Sequence, residues 1–121
     1  VTLETLEDAE ALTTHFLRVE PQWTQAVKSE WAANMCASAS SALTHYCWRQ
    51  GVRAEKVWLL LYGTSPEGEL HPHERYPRCA RNPHHCVVRA DRFVIDLTAR
   101  QYTPTLPFPF IWEAPSVRRS S

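Results

Sequence analysis

The sequence predicts an α+β fold, with helices in the first third and a small antiparallel sheet after them. Three observations predict it. Apolar residues recur at three- and four-residue steps up to Gln50, a nearly continuous apolar run spans Ala54 to Tyr62, and two short β-rich runs flank a turn between His85 and Leu97. At 121 residues the chain fits one compact domain, 1–121, large enough for a hydrophobic core.

Each element has its own signal. Thr5-Leu-Glu-Asp8 resembles a capping box, and Leu6, Ala9, Leu12, Phe16 and Val19 then form one apolar stripe. Pro21 separates this from a second helical stretch, with Trp23, Val27 and Trp31 four apart on one face. A third helix starts around Asn34 to Cys36 and runs to Gln50, where Gly51 suits a left-handed C-terminal cap. Its run of Ala and Ser is poorly explained by helix propensity, but small side chains let a helix lie close to a sheet. Cys36, Ala39, Ser40, Leu43 and Cys47 would face inward.

The run from Ala54 to Tyr62 reads as a strand covered on both faces. Residues 63–83, rich in proline and glycine, form a long irregular connection of the kind that is usually functional or mobile. His85–Arg89 and Arg92–Leu97 read as a hairpin turning at Ala90-Asp91, which makes about three strands. The tail from Pro104 to Pro115 is expected to pack in extended form.

Composition narrows the function classes. Thirteen acidic and 13 basic residues balance, so no overall field draws the chain to nucleic acid or an anionic membrane. No apolar run approaches the ~20 residues of a membrane span. A start at Val1 rather than Met suggests a domain excised from a longer polypeptide. The four cysteines lack CxxC spacing and are expected to be mostly reduced.

Cys36 is the candidate nucleophile, because a helix N-terminus stabilises a thiolate; Asn34 would cap that helix. The commoner role of a lone cysteine is a small buried hydrophobe, and Cys47, late in the same helix, suits it. A nucleophilic thiol also needs a base with an orienting partner. A turn at Ala90-Asp91 sets Arg89 opposite Arg92, Val87 opposite Val94 and His85 opposite Asp96. Directly opposed Cβ atoms lie ~4.5–5.5 Å apart, which suits a His–carboxylate bond. His84 would face Leu97 on the other side, so His85 is the base and Asp96 its partner.

The stretch from His85 to Tyr102 resembles the His-to-Asp hairpin of papain-fold toxin domains at the C-termini of bacterial polymorphic toxins and secreted effectors. There a histidine opens a run of valines, and an acid heads a segment like Asp96-Leu-Thr-Ala-Arg-Gln101. Asn34-Met-Cys36 and the Gly51-Val52 region are similar to the family's cysteine helix and its exit. The likeness covers roughly residues 34–110, and Asp91-Arg92 departs from the family's common Asp-Gly. It implies a papain-like fold, with the nucleophile helix on the antiparallel sheet, and a Cys36–His85–Asp96 triad without cofactor. It also implies secretion from a bacterium, a protein substrate in the target-cell cytoplasm, and a cognate immunity protein. The expected reaction is acyl transfer through a thioester, with glutamine deamidation favoured and peptidase or transglutaminase chemistry as alternatives. The oxyanion donors would be the Cys36 N–H with Asn34 or Gln101. Gln22 and Gln25 would serve only if the preceding helix bends back.

A second class competes. His71, His73, Cys79, His84, His85 and Cys86 are metal-ligand types, so a non-enzymatic domain binding a metal or a partner is the alternative. Their spacing matches no zinc motif, and the expectation is no metal. The zinc-deaminase pattern and the phosphate-binding glycine loop are both missing from the sequence.

Overall fold

The computed structural model describes residues 1–114, so Pro115, the end of the predicted tail, lies outside the described residues. It is α+β. Among the described residues, three α-helices, α1 (Leu6–Val19), α2 (Ser29–Ala32) and α3 (Cys36–Arg49), precede four strands: β1 (Ala54–Leu60), β2 (His84–Ala90), β3 (Phe93–Asp96) and β4 (Phe110–Glu113). The strands form one antiparallel sheet in sequence order.

The capping box forms as read: Thr5 Oγ1 accepts from the Asp8 N–H, and the Asp8 carboxylate accepts from the Thr5 N–H. Such a cap contributes about 1 kcal/mol. The stripe on α1 is narrower than predicted. Ala9, Thr13 and Phe16 are buried, whereas Leu6 and Val19 at its ends are exposed. The second predicted helix is instead a 3₁₀ segment, Pro21–Val27, and the short α2, broken by the extended backbone of Lys28. The break brings the Trp23 and Trp31 rings edge to face at 5.8 Å.

Helix α3 ends as predicted. Gly51 has φ +73°, and the Val52 N–H reaches back to the Cys47 carbonyl at 2.9 Å. Its start differs: Met35 is the N-cap with no side-chain bond, and Asn34 sits before it at φ +64° rather than capping. Asparagine is among the few side chains that adopt this left-handed backbone readily, and it turns the chain into the helix.

The sheet carries a core on each face. Helices α1 and α3 cover one, packing Phe16, Ala39, Leu43, Tyr46 and Cys47 against Val88, Ala90 and Ile95. Loop segments cover the other, with Leu70, Tyr76, Ala99 and Leu106 against Leu59, Val87, Val94 and Trp112. Strand β1 is an edge strand, not one covered on both faces: Glu55, Lys56 and Trp58 are exposed. The fourth strand comes from the proline-rich tail, where Phe110–Glu113 pairs with β3.

The hairpin register is corrected by two residues. The turn is Asp91-Arg92, with Asp91 at φ +52°, so Ala90 pairs with Phe93 and Arg89 with Val94. His85 therefore does not lie opposite Asp96. A two-residue slip preserves the face of every side chain, whereas a slip of one would reverse it. His85 and Asp96 still share the loop-covered face, now as diagonal neighbours.

Candidate active site

Cys36 is the first residue of α3, which packs on β1 and β2. One turn on, Ser40 Oγ donates to the Cys86 carbonyl at 3.1 Å and ties the helix to β2. Ala39 and Ser40, both buried, permit this approach, which explains the small residues propensity left unexplained. The approach sets the Cys36 thiol, half-buried, beside His85.

His85 is 0% and Asp96 1% exposed, so neither meets bulk water. His85 Nε2 and Asp96 Oδ2 are 2.6 Å apart, and Asp96 Oδ1 accepts from the Thr98 N–H at 2.8 Å. Oδ2 also accepts from the Tyr76 hydroxyl. The carboxylate thus both orients the imidazole and begins the turn at Thr98. Among the described residues, no buried side-chain polar atom lacks a partner.

With Nε2 committed to Asp96, Nδ1 is the nitrogen left for the thiol. Gln101 Nε2 approaches Nδ1 at 3.3 Å and Thr98 Oγ1 at 3.3 Å. Tyr102 and Tyr76 both meet the imidazole edge-on, at 4.9 Å and 5.8 Å. The short 3₁₀ turn Ala99–Gln101 is held by Arg100, which donates to the Leu106 carbonyl at 2.9 Å and the Val27 carbonyl at 3.2 Å.

Electrostatics follow from these contacts. Burial pushes the Cys36 thiol up. The His85 hydrogen bond, the backbone N–H groups of Cys86 and Ala37, and the charge on His85 outweigh it, leaving the thiol below its ordinary value. Burial alone would likewise disfavour imidazolium, but the Asp96 charge, its hydrogen bond and Cys36 raise His85 to about 9. The two shifts run in the directions that favour a thiolate beside an imidazolium.

Of the residues singled out from sequence, Cys36, His85, Asp96 and Gln101 come together. Asn34 is exposed at the helix entrance. Gln22 and Gln25 are exposed, and Gln22 turns to Glu20 at 3.5 Å. His84 is exposed on β2, and His73 packs edge-on against Phe110 and Trp112. No three His, Cys, Asp or Glu side chains converge on a metal position among the described residues. Tyr76 and Tyr102 were not singled out. Tyr102 closes the motif that drew attention to Gln101, whereas Tyr76 sits in the irregular connection with no local pattern to mark it.

No family model, curated protein or solved structure matches this chain.

Proposed function

We propose that this chain is a papain-like cysteine enzyme that transfers acyl groups through a thioester, most specifically a protein glutamine deamidase. The observation that carries the reading is a buried imidazole between a carboxylate at 2.6 Å and a thiol at a helix start. His85 takes the proton of Cys36, and the thiolate attacks the carboxamide carbon of a glutamine side chain. The tetrahedral oxyanion is met by the N–H of Cys36 with a side-chain amide, Gln101 or Asn34. His85 returns the proton to the departing ammonia. Water, deprotonated by His85, then cleaves the thioester and leaves glutamate with the thiol restored. Asp96 holds the imidazolium in place throughout.

The same three residues also serve peptide hydrolysis and transglutamination, so the substrate class rests on the resemblance of His85–Tyr102 to bacterial toxin domains. That resemblance also supports a secreted toxin or effector acting on a target-cell protein, with an immunity protein that covers Cys36. No helix among the described residues is long and apolar enough to cross a membrane.

Mass spectrometry of candidate target proteins exposed to the chain tests the reading. Deamidation adds about one dalton at a glutamine, whereas chain cleavage identifies a peptidase. Cys36→Ala should abolish either product while keeping the fold, and full activity in that variant would overturn the proposal.

A further inference from the structure

Asp96 receives three donors on two oxygens. The Thr98 N–H takes Oδ1 at 2.8 Å, while His85 Nε2 and the Tyr76 hydroxyl share Oδ2. The Thr98 bond is made two residues along the same chain and already fixes how the carboxylate points. Tyr76 is not needed to aim Asp96; its hydroxyl competes with the imidazole for one oxygen. A charge-assisted donor to a carboxylate stabilises the anion and weakens its pull on any other proton.

Tyr76 is itself firmly held. It is 8% exposed, its ring lies 5.4 Å from Phe110 and 5.5 Å from Trp112, and its N–H donates to the His73 carbonyl at 3.1 Å. Burial and the neighbouring Asp96 push its phenol well above the ordinary range, which favours the protonated, donating form. The other groups facing His85 are Cys36 from α3, Tyr102 and the neutral Gln101 amide after β3, and the apolar Leu59 of β1. Among the described residues, the charge acting on His85 comes from Asp96 and Cys36.

Resting on the nucleophile reading above, we infer that Tyr76 is a positioning residue for the His85 proton. By sharing Oδ2 it limits how tightly Asp96 holds that proton on the imidazole. The consequence is mechanistic: an imidazolium bound too strongly to Asp96 would accept the thiol proton but be slow to pass it to a leaving group.

The test is the titration of the His85 ring, followed by NMR in the full chain. Cys36→Ala is compared with the same chain carrying Tyr76→Phe, so that the thiolate is removed from both. Losing the phenol should move the His85 midpoint upward by roughly half a unit. Site-specific 3-fluorotyrosine at position 76, a stronger donor of nearly the same shape, should move it downward. A midpoint that stays or falls with Phe, or shifts of the same sign in the two variants, overturns the inference. If Tyr76→Phe fails to fold, the fluorotyrosine arm decides alone. Iodoacetamide labelling of the unmodified chain tests the nucleophile reading separately: an inert Cys36 refutes that reading and leaves the titration readable.

Discussion

Cys36 and Cys47 stand at opposite ends of one helix, and their thiols are driven in opposite directions. Burial acts upward on both. At Cys47, which is fully buried, nothing outweighs it and the Asp91 charge adds to it, so the thiol is pushed up to about 12. At Cys36, His85 and two backbone N–H groups reverse the sign. The helix dipole favours an anion at the first residue and disfavours one in the last turn, by about 0.3–1 kcal/mol at each end. That is too small to separate the two alone. The difference is made by what the sheet presents to each end of the helix: a charged pair at Cys36, and apolar core at Cys47.

Labelling with iodoacetamide at pH 7 offers the largest contrast. Cys36 should react, and Cys47 should stay unmodified in the folded chain, slower by several orders of magnitude. His85→Ala removes the largest contribution that lowers the Cys36 thiol and should slow its labelling roughly 10- to 100-fold. Peptide mapping after timed labelling reads both outcomes. Equal labelling of the two cysteines, or no change in the His85 variant, would break the comparison.

Much of this contrast was legible in the sequence, because position along a helix is written in local signals. The capping box at Thr5, the left-handed Gly51 and the small-residue face of α3 are each written in neighbouring residues of one segment. That His85 and not His84 shares a face with Asp96 does not depend on the turn being read correctly, since strand parity is insensitive to a shift of two. What was illegible depends on distant packing. Tyr76 lies in a connection without periodicity, and its hydroxyl finds Asp96 only once Phe110 and Trp112 form its socket. Strand β4 is four residues among prolines, too short to show alternation, and is made a strand by the edge of β3. The 3₁₀ segment after Pro21 keeps helical spacing in its aromatics, so its break at Lys28 left no mark in the pattern.

A subtler effect lies in how stability changes with pH. His85 is raised from 6.5 to about 9, so its contribution is complete below about 6.5 and lost as pH rises through about 9. Cys36 is lowered from 9.0, so its contribution is complete above 9.0 and lost as pH falls through its folded value. Where the two ranges overlap, below 9, the two oppose each other: the folded pair gains a proton on the imidazole and gives one up from the thiol. Cys36→Ala removes the second half of this balance. The Asp96 part of the His85 shift remains without the thiol, so stability should fall more steeply than that of the parent chain as pH rises through the overlap, by at most about 1.4 kcal/mol per pH unit. Denaturant midpoints across that range measure the difference. Parallel slopes would mean that the two groups do not share a proton.

The smallest expected effect concerns the other end of α3. Cys47→Ala removes one sulfur from a packed cluster that includes Leu43, Tyr46 and Val88. The loss is a small cavity, expected to cost about 1 kcal/mol in chemical denaturation. It should leave the labelling rate of Cys36 unchanged, because nothing that lowers the Cys36 thiol passes through the last turn of the helix. A slower Cys36 in this variant would show that core packing at one end of α3 sets the approach of the other end to β2. The Ser40 bond to the Cys86 carbonyl would then be too weak to hold the thiol beside His85 by itself, and the two ends of the helix would have to be treated as one coupled element.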